Sequence, residues 1–204
     1  VGRPFCYRCH RAQEHCLCEL ITPIHNKLPV YILQHFRERF HPIGTARIAK
    51  LSLKNCHITV AHSGFPSQSQ GKDGPKRVID ETDLHTPMQL PGGTVVLYPS
   101  KQAKPIEHVE RPNALLVLDA TWSHSRRIYY ENPWIQELPH IALSPTVPSR
   151  YLIRKEPAFH CISTLEAIAE ALKVWEPELD LSPAIDVFDA MIARQARYCP
   201  PVTD

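Results

Sequence analysis

The chain has 204 residues, 43% of them hydrophobic and 22% charged, and its formal net charge is only +2 with the histidines neutral. That is enough apolar material for one ordinary globular domain, with or without a small appendage, and too little charge to argue for a nucleic-acid partner by itself. No stretch approaches the roughly 18 apolar residues of a membrane span, and the start, VGRPFCYRC, has no apolar region of a secretory signal, so no membrane partner is expected and the expected compartment is the cytoplasm.

Residues 1–27 read as an appended cysteine knuckle. The pattern is Cys6-x-x-Cys9, six residues, then Cys16-x-Cys18. Thiolates two or three residues apart bend round one tetrahedral ion, and a second pair completes four sulfurs, so the expectation is a structural zinc held by Cys6, Cys9, Cys16 and Cys18. His10 and His15 stand close enough in sequence to replace one sulfur. Four protein ligands leave the metal no open position for chemistry. Arg3, Arg8, His10 and Arg11 surround the cysteines, which suits either phosphate contact or a solvated basic arm.

From residue 28 to 204 short apolar runs alternate with helical patterns. PVYILQH (29–35), CHITVAHSG (56–64), GTVVLYPS (93–100), NALLVLDA (113–120) and HIALSP (140–145) predict strands. GTARIAKLSLKN (44–55) predicts a helix with Thr45 at its N-cap, and SHSRRIYYEN (123–132) one that stops before Pro133. STLEAIAEALKVWEP (163–177) carries capping-box spacing between Ser163 and Glu166, with Leu165, Ile168, Leu172 and Trp175 on one face. A last helix over 182–199 has Ser182 at the cap and Pro183 in the first turn. The polar segment 65–77 reads as a solvated loop. The alternation predicts an α/β fold with a largely parallel sheet.

Ligands of such sheets bind beyond the carboxyl ends of the strands. Those ends carry His35 and then Glu38, Tyr98-Pro99-Ser100, Asp119 with Thr121 and Trp122, and Ser149 through Arg154. With parallel neighbours, one edge collects a carboxylate, hydroxyls, aromatics and arginines. Each has a plainer reading: His35, Tyr98 and Trp122 as core, Glu38 as surface charge, Asp119 as a turn cap, Ser100 and Ser163 as helix caps.

Six of these landmarks together carry a resemblance. DATW (119–122) resembles the signature of the DTW-domain family. The paired cysteines, HFRE (35–38), LYPS (97–100), PSRYLIR (148–154) and STLEAIA (163–169) resemble that family's other motifs, in order, over residues 3 to 175. HFRE departs from the family's His-Pro-x-Glu by having Phe36 in place of proline. The family is identified with tRNA-uridine aminocarboxypropyltransferases. The resemblance implies a SPOUT-like α/β fold with a trefoil knot. It also implies S-adenosylmethionine as donor of a 3-amino-3-carboxypropyl group, and N3 of a tRNA uridine as acceptor.

On that resemblance Asp119, Trp122, His35 and Glu38 are the candidate catalytic set. Tyr98, Pro99, Ser100, Thr121, Ser163 and Thr164 are the candidate donor-binding set. Arg126, Arg127, Arg150, Tyr151 and Arg154 are the candidate substrate-binding set, with Arg150 or Arg154 suited to the methionyl carboxylate or a tRNA phosphate and Arg126 and Arg127 to phosphate or solvent. Asp119 suits either a base for the weakly acidic uridine imide or a partner for the sulfonium. Trp122 suits either a stacking platform or a core anchor. tRNA affinity is expected to fall with salt. Two other readings share many of these features: a SPOUT-type RNA methyltransferase, and a non-catalytic zinc-bearing RNA-binding protein. The oligomeric state, monomer or homodimer, is left open.

Overall fold

A computed structural model describes residues 4–61, 88–144 and 162–196. The predicted loop 65–77, the ends of the second and fifth predicted strands, the segment containing Arg150, Tyr151 and Arg154, and the last residues of the final helix lie outside the described residues.

The knuckle is a small antiparallel hairpin, β1 (Phe5–Cys6) and β2 (Arg11–Ala12), with Phe5 facing Ala12. The body is a six-stranded sheet, ordered β4-β3-β7-β5-β8-β6 and parallel at each pairing. Its strands are β3 (Val30–His35), β4 (Cys56–Ala61), β5 (Thr94–Leu97), β6 (Lys104–Pro105), β7 (Ala114–Asp119) and β8 (His140–Ala142). The predicted strands are present in shorter form, and the edge strand β6 was not anticipated. Strands this apolar on both faces need cover on both. Val30, Ile32, Leu115 and Val117 point into one core, against α1 (Ala46–Ser52), α4 (Thr164–Trp175) and α5 (Ser182–Ala196). Their alternates Leu33, Leu116 and Val96 point into the other, under α2 (Trp122–Glu131) and α3 (Pro133–Gln136). The result is a three-layer α/β/α sandwich, in agreement with the expected parallel α/β class.

The knuckle is not a loose arm. Leu17 is fully buried in the larger core. Arg11, expected in a basic surface, is buried. Its guanidinium donates to the Cys9 and Gly44 carbonyls at 3.0 and 2.9 Å and to the Met191 sulfur at 3.1 Å. Arg194 of α5 donates to the Cys16 carbonyl at 2.6 Å.

Two local expectations need correction and a third needs an addition. Thr45 stands at the N-cap of α1, but its hydroxyl makes no cap bond there; it accepts the Leu165 N–H at 3.4 Å instead. Ser182 is the first residue of α5 rather than its cap, and Asp180 accepts both its N–H and its hydroxyl. Pro133 ends α2 as expected, yet proline at a first turn is tolerated, and a second short helix, α3, begins there.

Candidate active site and metal centre

From β3 the chain runs through α1 to β4 on one side, and from β7 through α2 and α3 to β8 on the other. The sheet order therefore reverses between β3 and β7, and ligands of such sheets bind in the crevice beyond the carboxyl ends at that point. Gln34 and Asp119 are register partners at that point.

Asp119 is buried. Gln34 Nε2 donates to its Oδ2 at 2.8 Å, and Thr164 Oγ1 donates to its Oδ1 at 2.5 Å. Both carboxylate oxygens are thus held by donors from neighbouring elements. Thr164 opens α4 immediately after the Ser163 cap. The predicted capping box is complete there: Ser163 Oγ accepts the Glu166 N–H, and Glu166 accepts the Ser163 N–H at 2.8 Å. With the Thr45–Leu165 bond, the first turn of α4 is tied to the start of α1 and to the end of β7.

Beside this carboxylate, Thr121 caps α2 and its Oγ1 lies 3.0 Å from His124 Nδ1. The His124 ring stacks on His35, with centroids 4.0 Å apart and planes 5° from parallel. His35 is buried, and its Nδ1 accepts the Arg37 N–H at 3.3 Å. Burial, and then the adjacent His124, hold its pKa below the ordinary 6.5, so the imidazole is poised neutral. Glu38, read also as a surface charge, is buried. Trp122, read also as a core anchor, is 41% exposed at the start of α2.

Tyr98 is buried and stacks on Tyr129 at 4.3 Å, and burial raises its phenol pKa. Pro99 is exposed. The Ser100 hydroxyl is buried with no hydrogen-bond partner among the described residues. Ser100 caps no helix; it opens a turn in which Ala103 N–H meets its carbonyl at 3.1 Å. Arg126 and Arg127 are exposed on α2, and Arg127 pairs with Glu131 at 2.5 Å. The crevice thus gathers His35, Asp119, Thr121, Ser163 and Thr164. Tyr98 to Ser100 follow the neighbouring strand β5. Three contributors were missed: Gln34, His124 and Thr45. Gln34 was visible as the one polar residue ahead of His35 in an apolar strand. His124 sits three residues after Thr121, the spacing of a first-turn neighbour.

The four knuckle cysteines are free, and their sulfurs all lie within 4.8 Å of one another. Cys6 and Cys18 stand 3.7 Å apart, Cys9 and Cys16 3.8 Å. Four sulfurs at ~2.3 Å around a tetrahedral zinc would be about 3.8 Å apart, so the cluster has the size of a metal site. A hydrogen bond from the Cys9 backbone draws the Cys6 thiol down to about 6, while burial and the neighbouring sulfurs push Cys18 far up. Crowded thiols resist a second and third ionisation unless a cation joins them. Neither histidine enters the cluster: His10 turns its ring to Phe40 at 5.0 Å, and His15 lies 3.5 Å from Glu14.

The DTW domain model matches residues 3–196. The chain belongs to the DTW-domain family. It is 30% identical over 185 residues to tRNA-uridine aminocarboxypropyltransferase 2 of Macaca fascicularis, covering 85% of this chain and 57% of that protein. The protein of that name from Drosophila melanogaster is 31% identical over 183 residues, covering 85% and 68%. The tRNA-uridine aminocarboxypropyltransferase A of Arabidopsis thaliana is 24% identical over 221 residues, covering 98% and 84%. The chain spans little more than half the length of the macaque and mouse relatives. No solved structure matches it.

Proposed function

We propose that the chain transfers the 3-amino-3-carboxypropyl group of S-adenosylmethionine to N3 of a tRNA uridine. One observation carries the reading. The acid of the DATW motif sits at the switch point of the sheet, its oxygens fixed by Gln34 and by the first residue of α4.

The crevice fits such a donor. The Ser100 hydroxyl is a buried polar atom still lacking a partner among the described residues, and the capped start of α4 adds hydroxyls beside the acid. Tyr98, Pro99, Ser100, Thr121, Ser163 and Thr164 would hold it. Bound there, S-adenosylmethionine supplies a carbon made electrophilic by its sulfonium, with methylthioadenosine as leaving group. Asp119, held through both carboxylate oxygens, serves as base or orienter for the imide or as partner of the sulfonium. His35, kept neutral and stacked on His124, completes a polar wall with Glu38. Trp122 presents an exposed indole that suits stacking on a base. Arg126, Arg127, Arg150, Tyr151 and Arg154 are assigned to tRNA. The Arg127–Glu131 pair is exposed, so little is lost when a phosphate displaces Glu131.

We assign zinc to Cys6, Cys9, Cys16 and Cys18 as a structural ion, residues 1–27 to the knuckle and 28–204 to the catalytic domain. The parallel sandwich supports the expected likeness to SPOUT-type folds, and the knot is part of the proposal. Among the described residues no helix is long and apolar enough to cross a membrane.

Incubation with bulk tRNA and S-adenosylmethionine, followed by mass analysis of the nucleosides, tests the reading. An aminocarboxypropyl-uridine is expected. Methyl addition alone would assign the crevice to methyl transfer, and no addition with retained tRNA binding would leave an RNA-binding protein.

A further inference from the structure

Apolar rings on the knuckle and on the turn after β3 stay in water although a core lies beneath them. Tyr7 is 83% exposed, Phe40 56% and Phe5 38%. They form a continuous run rather than scattered residues. Phe5 meets Tyr7 edge-on at 5.3 Å and lies 6.4 Å from the nearly parallel His10 ring, which meets Phe40 at 5.0 Å. The Arg39 guanidinium covers Phe40 at 5.0 Å, and Arg8 is exposed on the knuckle turn.

His10 makes this run deliberate. Its φ is +58°, a left-handed conformation that favours glycine. The chain places a ring at this strained position, and its Nδ1 lies 3.1 Å from the Arg39 carbonyl, which fastens the knuckle to the turn after β3. That turn leads back to the crevice. Phe36, at its start, lies 4.5 Å from the His35 ring and takes Arg37 over its face at 5.6 Å. Phe36 and Phe40 are one α-helical repeat apart in sequence, so a single short segment touches the candidate active site at one end and the knuckle at the other.

We propose that Phe5, Tyr7, His10 and Phe40, with Arg8 and Arg39, form a docking platform for unpaired nucleotides of an RNA substrate. Exposed π faces interleaved with guanidinium groups bind bases by stacking and phosphates by charge, without reading sequence. The positive charge favours a polyanion over an apolar protein segment. The platform rests on the proposed RNA substrate, and extends its track from the catalytic crevice to the metal knuckle.

The test is binding of the full chain to an unmodified tRNA and to a short single-stranded RNA, without S-adenosylmethionine, so that it reads out independently of transfer. The rings are exposed, so Tyr7→Ala with Phe40→Ala should keep the fold, checked by melting temperature and bound zinc. Affinity for both RNAs is expected to fall about tenfold per ring. Tyr7→Trp with Phe40→Trp should restore it. Arg8→Ala with Arg39→Ala should lower the salt slope by about one per arginine. Unchanged affinity in the folded alanine variant overturns the platform, even where transfer is intact. So does a loss that the tryptophans fail to restore, or a loss confined to self-association or to a protein partner. Ring-dependent RNA binding without any transfer would uphold the platform and overturn the enzyme instead.

Discussion

The sulfur knuckle and the carboxyl-edge crevice are built on opposite plans. The knuckle draws its four sulfurs from residues 6 to 18, a hairpin and two short turns. The crevice draws Gln34, Asp119, His124 and Thr164 from β3, β7, α2 and α4, and long-range contacts bring these elements together. A local cluster can be closed by one ion that satisfies every ligand. A dispersed one depends on the register of the sheet and keeps groups open for substrate. The first plan suits structure and the second chemistry.

The strongest way to break that contrast is to unmake the local cluster. Cys9→Ser should abolish stoichiometric zinc and lower the melting temperature by ~10 °C or more, because the energy of a structural ion is folding energy. Metal analysis and calorimetry check this. A zinc-free variant with wild-type melting would show that the knuckle is no structural site.

Next in size is the centre of the dispersed site. Asp119→Asn should cut transfer about a thousandfold while leaving the melting temperature within a few degrees. Steady-state kinetics also separate its two roles. A sulfonium partner weakens donor binding at every pH, whereas a base removes the acidic limb of the pH profile. Wild-type turnover in the folded variant would remove Asp119 from the mechanism.

Thr164→Val should be milder, about tenfold in transfer, since it deletes one hydrogen bond to a carboxylate that Gln34 still holds. An effect as large as that of Asp119→Asn would mean that the α4 turn contributes more than orientation.

The smallest effect is on pH. Burial holds His35 and His140 below the ordinary value of 6.5. Both stay neutral in the fold and take up protons on unfolding, so stability is kept above about pH 6.5 and falls as pH drops toward their lowered folded values. His140→Gln should flatten that fall by a degree or two in melting temperature between pH 7 and 5. Equal slopes for variant and wild type would remove this contribution.

The contrast also explains what was legible. Cysteine spacing needs no fold to interpret, and the cluster was visible entire. The capping box of α4 was equally plain, because Ser163 and Glu166 act within one turn. The parallel class followed from alternation, but strand order did not. Gln34 stands out as a polar residue in an apolar strand, but only its pairing with Asp119 gives it a role. Thr45 looked like a cap because threonine before a helical run usually is one, and only tertiary contact redirects its hydroxyl to α4. Arg11 was read by its charge, yet its fork bridges the knuckle to the turn before α1 and to α5.

That buried arginine has a consequence for how the chain comes apart. Arg11 reaches Met191 across 180 positions, and Arg194 reaches Cys16 across 178. The four-cysteine knuckle and the far helix α5 are therefore tied directly to each other. Since a ligand stabilises whatever must be folded to bind it, zinc occupancy should govern protease resistance and amide exchange in α5, far from the sulfurs along the chain.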